Sequence, residues 1–249
     1  MNKKLVLEAL KKLREVGKKR KFLQTVDFII SLKSIDVKKP EDKIDLFINL
    51  PYSKGKKNKI CALVDHELHE QAKKHFDKAL LKEEFIKYGN KKLQKKFARE
   101  FDFFLAQANI MANVATTFGK TFGPLGKMPN PKADLIVPPT VNLETISNKL
   151  RNMIHLQTKN DAVIRAPVGS ENMSDEELAE NMMSIYNTVV HALPQDEANI
   201  KSVRVKFSMS VPIKITDKAE VEAKVKEKKK SKYKERKAGK KEPKEKVSK

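Results

Sequence analysis

The order of hydrophobic and polar residues predicts a helix followed by two amphipathic strands in the first part of the chain. Hydrophobic residues recur at helical spacing from Leu5 to Val16. In residues 25–33 and again in residues 44–50, hydrophobic side chains alternate with polar ones. Because successive side chains of a strand point to opposite faces, we expect two strands that each keep one face in solvent.

A second pattern begins after Lys56. Residues 60–64 and 103–106 are short, continuous hydrophobic runs, and residues 66–74 and 91–99 have helical spacing. Continuous runs alternating with helices are typical of a parallel sheet that is covered on both faces. The middle of the chain is therefore predicted to form a small α/β block.

The alternating pattern returns towards the end of the chain. Residues 143–153 have helical spacing, and Lys159-Asn160-Asp161 lies between two alternating segments, which predicts a hairpin. Ser174 and Glu177 form a capping-box pattern before another helix, and residues 202–209 alternate as a strand. An α/β block thus interrupts an α+β block. Two organisations remain open: a domain built from both chain ends around an insertion, or one continuous domain.

Composition and charge point to a polyanionic partner. The 249 residues carry a formal net charge of +21, and residues 218–249 alone hold 15 Lys/Arg against 6 Glu. That segment has too few hydrophobic residues to bury a core, so we expect a mobile basic tail. Cys61 is the single cysteine, and no apolar run approaches membrane-spanning length, so we expect a soluble chain in a reducing compartment with no membrane partner. Nucleic acid is the leading partner.

Two motifs that could indicate nucleotide binding or a metal site match the required patterns poorly. The glycine-rich segment that begins at Gly119 lacks the earlier glycine of a Walker loop, because that position is Val114. We expect a structured loop with positive-φ glycines there. His66 and His69 are three residues apart, whereas the zinc-protease pattern needs histidines four apart, so a solvated helical turn is favoured over a metal site. No cofactor is expected.

The residues themselves suggest an RNA-contacting sheet face. In the last strand Arg204 and Lys206 alternate with core residues, so their side chains share one face. Phosphates bind such cations, and an aromatic ring near them can stack on a base. The candidate contacts drawn from these strands and the segment before the first strand are Lys21, Phe22, Thr25, Ser202, Arg204, Lys206 and Ser208.

An ordered series of motifs resembles a known family. Residues 123–131 read Gly-Pro-Leu-Gly-Lys-Met-Pro-Asn-Pro, residues 103–108 read Phe-Phe-Leu-Ala-Gln-Ala, and residues 166–169 read Ala-Pro-Val-Gly. Together with Lys21-Phe22 and Ser208-Met209, these motifs are similar to those of the L-one family of large-subunit ribosomal proteins, in an archaeal form. The resemblance covers about residues 1–216, and the basic tail lies outside it.

The resemblance implies a fold and a function. It implies a split α+β sandwich-like domain (1–54 plus 155–217), an inserted Rossmann-like three-layer α/β domain (55–154) and then the tail (218–249). It also implies a non-catalytic, cytoplasmic, ribosome-bound protein, monomeric within the ribosome, that binds ribosomal RNA of the mobile stalk. Exit-site tRNA and the protein's own mRNA are implied as further partners.

The resemblance also assigns site residues. Phe22, Thr25, Ser202, Ser208 and Met209 correspond to the family's RNA contacts, whereas Lys21, Arg204 and Lys206 are proposed from charge and strand facing alone. The loop assigned to the inserted domain contains Gly123, Gly126, Lys127, Met128, Pro129 and Asn130.

Two departures from the family pattern bear on the contacts. Ser210 stands where the family usually has glycine, and Leu125 stands where it usually has arginine. Loss of the glycine puts a close backbone approach in question.

Two rival functions remain open. One is a nucleotide-dependent RNA-modifying enzyme, and the other is a nucleic-acid-binding protein that is not part of the ribosome.

Overall fold

The structure is a computed structural model that describes residues 1–18, 20–37, 39, 43–158 and 160–215. The predicted tail, residues 218–249, lies outside these ranges. Within them, no helix is both long enough and apolar enough to cross a bilayer. The helices and strands in chain order are α1 (Lys3–Val16), β1 (Thr25–Leu32), β2 (Asp45–Asn49), β3 (Ile60–Val64), α2 (His66–His75), β4 (Lys78–Leu81), α3 (Lys91–Glu100), β5 (Phe103–Gln107), α4 (Met111–Leu125), β6 (Ile136–Val137), α5 (Leu143–Arg151), β7 (Met153–Gln157), β8 (Val163–Ser170), α6 (Asp175–Ala192), β9 (Ile200–Phe207) and β10 (Ile213–Ile215).

One antiparallel sheet unites the two ends of the described chain. Its strand order is β10-β9-β1-β8, so β1 from the beginning lies between two strands from the end. One face of the sheet packs against α1 and α6, where Leu10, Leu13, Phe28 and Ile185 are buried in a common core. The predicted capping box at Ser174 and Glu177 is present at the start of α6.

The middle of the chain forms a parallel sheet of order β4-β3-β5-β6. Its two faces bury separate cores because β3 is wholly buried and sends alternate side chains to opposite sides. Ile60 and Ala62 pack with residues of α2 and α5, and Cys61 and Leu63 pack with residues of α3 and α4. The predicted fold class is confirmed: an antiparallel sheet from both chain ends and an inserted parallel α/β sheet.

A two-stranded ribbon of β2 and β7 joins these blocks. Ile48 and Leu156 contribute to the core of the antiparallel sheet, whereas Phe47 packs against the core of the parallel sheet. The predicted hairpin at Lys159-Asn160-Asp161 is therefore wrong, because β7 pairs with β2 and β8 pairs with β1. The local turn signal is overridden by the longer-range pairing of each strand.

The glycine-rich segment predicted as a loop is mostly helical. α4 continues through Gly119 and Gly123 to Leu125, so the assignment of Gly123 to a loop is corrected. Val114, Phe118 and Phe122 are fully buried at helical spacing, and their burial outweighs the low helix propensity of glycine. Gly126 alone of these glycines has positive φ, 67°, and it ends the helix in the left-handed conformation.

Candidate nucleic-acid interface

Among the described residues, no helix covers one face of the antiparallel sheet, and this face carries most of the predicted contacts. Along β1 the burial alternates strictly, so every second side chain points away from the core. The outer sheet face is defined here by those β1 residues, the cations beside them on β8, β9 and β10, and the serines that contact or pair with Thr25 and Ser31: Thr25, Asp27, Ile29, Ser31, Arg165, Ser202, Arg204, Lys206, Ser208 and Lys214.

A row of cations crosses the outer sheet face. Ile29 lies opposite Arg165 on one side and Arg204 on the other, and Arg204 lies opposite Lys214. All three cations are exposed. Because neighbouring strands are about 4.8 Å apart, the row presents positive charge across a width of about 15 Å. Arg165 was missed from the sequence, although the alternation of β8 places it on the polar face. Lys214 was missed because β10 has only three residues.

Asp27 and Lys206 form the next row. Their Oδ2 and Nζ atoms are 4.0 Å apart, and both side chains are about 30% exposed. Burial raises the pKa of the Asp27 carboxyl, and the nearby Lys206 ammonium opposes this by lowering it. The ion pair is too long and too exposed to hold Lys206 firmly, so this cation can turn to an external anion.

Both chain ends meet at the edge of this face, where β1 begins and β9 ends. The Thr25 amide donates to Ser208 Oγ at 3.2 Å, and the Ser208 amide donates to the Thr25 carbonyl at 3.0 Å. Exposed side chains surround this junction: Phe22 is 54% exposed and Met209 is 63% exposed, and Lys21 is exposed beside Phe22. The structure therefore places Thr25 and Ser208 in contact, whereas Lys21, Phe22 and Met209 are exposed neighbours of these two residues along the chain, and their common site stays a prediction.

Ser210, which stands where the resemblance implies glycine, fits its turn without a glycine-specific conformation. Among the described residues, positive φ outside glycine occurs at Ser34, Asp134 and Asp196, and Ser210 is not one of them. Ser210 Oγ accepts from the Phe207 amide at 2.9 Å, and the Ser210 amide donates to the Phe207 carbonyl at 3.1 Å. The hydroxyl thus stabilises the turn that carries Ser208 and Met209.

Ser202 differs from its predicted position in solvent. It is only 9% exposed, and its Oγ has no hydrogen-bond partner among the described residues. Ser202 pairs in register with Ser31, and the ladder becomes irregular just beyond it, where Leu32 pairs with Ile200. Ser202 lies at the far end of β9 from Ser208, so the two predicted contacts are at opposite ends of the outer sheet face.

The segment after α4 is held largely by internal contacts. Lys127 Nζ donates to the carbonyls of Ala98 at 2.9 Å and Phe101 at 2.5 Å, and burial lowers its pKa. Pro129 is buried, and Met128 packs against the core next to α4. Asn130 Oδ1 accepts from the Lys132 amide at 3.0 Å. This segment borders a cleft of about 230 Å³ between the blocks, together with residues from the ribbon and β5.

Within the described ranges, no three His, Cys, Asp or Glu side chains are arranged to hold a metal ion. His66 and His69 lie at the start of α2, where His66 Nε2 is 3.3 Å from Glu83 Oε1. The outer sheet face and its edge offer cations, hydroxyls and the exposed Phe22 ring, together with the Asp27 carboxyl.

Comparison with known proteins supplies the family. A model described as the ribosomal protein L1p/L10e family matches residues 10–211. The large ribosomal subunit protein uL1 of Pyrococcus abyssi is 38% identical over 212 residues, covering 84% of this chain and 94% of the relative. The uL1 proteins of Methanothermobacter thermautotrophicus and Nanoarchaeum equitans are each 38% identical, covering 84% of this chain and 98% of the relative. These matches confirm the archaeal resemblance, and the chain belongs to the ribosomal protein L1p/L10e family.

Proposed function

We propose that this chain is a structural protein of the large ribosomal subunit that binds ribosomal RNA of the mobile stalk through its outer sheet face. The observation that carries the proposal is the row of Arg165, Arg204 and Lys214 across the sheet. Membership of a family of ribosomal proteins agrees with the prediction that the chain is not an enzyme.

The electrostatics of the row favour an anionic ligand. Arg204 and Lys214 are directly opposite one another, and like charges in that position destabilise a sheet. The Arg165 guanidinium lies 4.0 Å from the exposed carboxylate of Asp161. An ion pair this exposed to water contributes little stability. A phosphate backbone lying across the row relieves the repulsion and releases counterions, so binding should weaken steeply with salt.

The exposed junction of the two chain ends supplies the contacts that are not purely electrostatic. Phe22 offers a ring for stacking on a base or ribose, and Met209 offers a neighbouring apolar surface. Phosphate contacts alone fix position without reading the RNA, so these side chains and the shape of the sheet give the preference for one RNA fold.

The finer roles belong to the same proposal. The split domain (1–54 plus 155–217) holds the RNA, and the inserted domain (55–154) moves about the β2–β7 ribbon while the stalk contacts and releases exit-site tRNA. The same outer sheet face binds a matching fold in the protein's own mRNA and represses its translation. The protein acts as a monomer on the ribosome. The two-stranded ribbon and the cleft beside it support such a movement.

The test is substitution of Arg204 with a matched loss of charge elsewhere. We expect Arg204→Gln to weaken binding of the stalk RNA and to reduce the slope of log affinity against log salt by about 0.7–0.9, the effect of one phosphate contact. Lys12→Gln removes one positive charge from the exposed side of α1, the helix that covers the opposite face of the sheet. Equal slopes for the two variants in a filter-binding titration would remove Arg204 from the interface.

A further inference from the structure

A second basic surface lies on the inserted block, away from the antiparallel sheet. α3 has cations at Lys92, Lys95, Lys96 and Arg99, all exposed. We call these four residues the α3 cation stripe. Their spacing of i, i+3, i+4 and i+7 puts them on one face of the helix over a length of about 10 Å. That spacing more often carries the apolar face of a helix.

Among the described residues, no side chain pairs with the cations of the α3 cation stripe. In the part of the chain that the structure describes, no ion pair or hydrogen bond engages any of its four side chains. Like charges three and four residues apart destabilise a helix, and the first turn of α3 contains no acidic residue, although carboxylates are favoured there. The arrangement therefore opposes the stability of the isolated protein.

Among the helices that the structure describes, α1 and α2 do not share this arrangement. α2 mixes Glu67 and Glu70 with Lys73 and Lys74, and α1 uses Arg14 in an ion pair with Asp175 at 2.7 Å. Mixed charge is the usual state of a solvated helix face. On α3 five of the six charged side chains are positive, and the exception is Glu100 at the end of the helix, four residues after Lys96.

The opposite side of α3 is fixed in the core. Gln94 Nε2 donates to the carbonyls of Tyr88 at 2.8 Å and Thr117 at 3.0 Å, and Phe97 is buried. Lys127 already satisfies carbonyls at the end of the helix, so Arg99 is not needed as a cap. The cations are consequently presented outward on a rigid element.

We propose that the α3 cation stripe binds the phosphate backbone of a double-helical RNA segment. A polyanion is the partner that matches four like charges in a row. The stripe contains no aromatic side chain, whereas proteins that hold single strands stack bases on aromatic rings. Duplex RNA is recognised mainly through its backbone and shape, which cations on a straight helix can follow.

The experiment compares two double variants of the full chain with equal net charge. Each protein is saturated with unlabelled stalk RNA to occupy the outer sheet face, and a labelled RNA duplex of unrelated sequence is then titrated at several salt concentrations. We expect Lys92→Gln with Lys96→Gln to weaken duplex binding about ten-fold or more at 0.1 M salt, and to lower the salt slope by about 1.8. Lys73→Gln with Lys74→Gln, on exposed positions of α2, should leave duplex binding near that of the unchanged chain.

Further measurements separate this proposal from the proposed function. The α3 variant should bind stalk RNA normally and unfold at the same or a higher temperature, because glutamine is a good helix former and repulsion is removed. If stalk RNA fails to bind at all, the duplex titration on the free chain still tests the stripe. Equal losses in both variants, or binding of the stripe to phosphatidylserine vesicles with duplex binding unchanged, would overturn the proposal.

Discussion

At the scale of single residues, the outer sheet face contains a carboxylate whose negative charge opposes the binding of RNA phosphates that is proposed for this face. Asp27 lies among cations, and its half-buried carboxyl has a raised pKa because burial disfavours the ionised form more than Lys206 favours it. The folded protein therefore binds this proton more tightly than the unfolded chain does. Stability falls as the pH rises from the ordinary pKa of aspartate through the raised value, and the cost is fully present above it.

We expect Asp27→Asn to increase the free energy of unfolding at neutral pH, since it removes the charge that burial penalises. The gain should shrink as the pH falls towards about 4, near the ordinary pKa of aspartate. Urea unfolding of both proteins across this pH range measures the difference, with Asp161→Asn as an exposed control. A variant less stable than the unchanged chain at neutral pH would show that the pairing with Lys206 outweighs the burial of Asp27.

Individual contacts were predictable where strand alternation is regular. Arg204 and Lys206 lie on the face that their alternation with Val205 and Phe207 indicates. Ser202, which the same alternation places on the polar face, is buried, so alternation alone did not predict its exposure. The internal use of the Lys127 ammonium also could not be read from sequence, since its carbonyl partners are more than twenty residues away.

At the scale of elements, long amphipathic segments and buried runs were predicted correctly, and short elements were not. β1, β3 and β5 follow clear patterns, whereas β4 and β6 have four and two residues and were missed. α4 was missed because its glycines and Pro124 are poor helix formers, and its helical state depends on packing against the parallel sheet. The structure of these three segments therefore depends on tertiary contacts that the local sequence does not show.

The capping box of α6 gives a prediction at this scale. Ser174 Oγ accepts from the Glu177 amide at 3.3 Å, and Glu177 Oε2 accepts from the Ser174 amide at 3.1 Å. We expect Ser174→Ala to lower the free energy of unfolding by about 1 kcal/mol, because it leaves a helix N–H unsatisfied. Ser184→Ala, within the same helix, should be neutral or slightly stabilising. Equal effects of the two substitutions on urea unfolding would exclude a capping contribution.

At the scale of the whole molecule, the chain passes between the two blocks twice, and buried amides join the crossings. Asn58 Nδ2 donates to the carbonyls of Leu150 at 2.7 Å and Met153 at 2.8 Å. Asn181 of α6 binds both the amide and the carbonyl of Tyr52. Gly55 has φ of 81°, and a Cβ there would lie 2.5 Å from Ser170 Oγ. The Asn58 bonds join the two crossings on the inserted side, and the Asn181 bonds hold the segment before the first crossing against α6.

The measurement that most directly tests the RNA interface on the antiparallel sheet is RNA–protein crosslinking of the full chain in purified large ribosomal subunits. The crosslinked peptides are mapped by mass spectrometry. The outer sheet face predicts crosslinks to ribosomal RNA from both chain ends, in peptides that contain Phe22 and in peptides that contain Arg204 to Met209. Crosslinks confined to residues 218–249, or to the inserted block alone, would contradict an RNA interface on the antiparallel sheet.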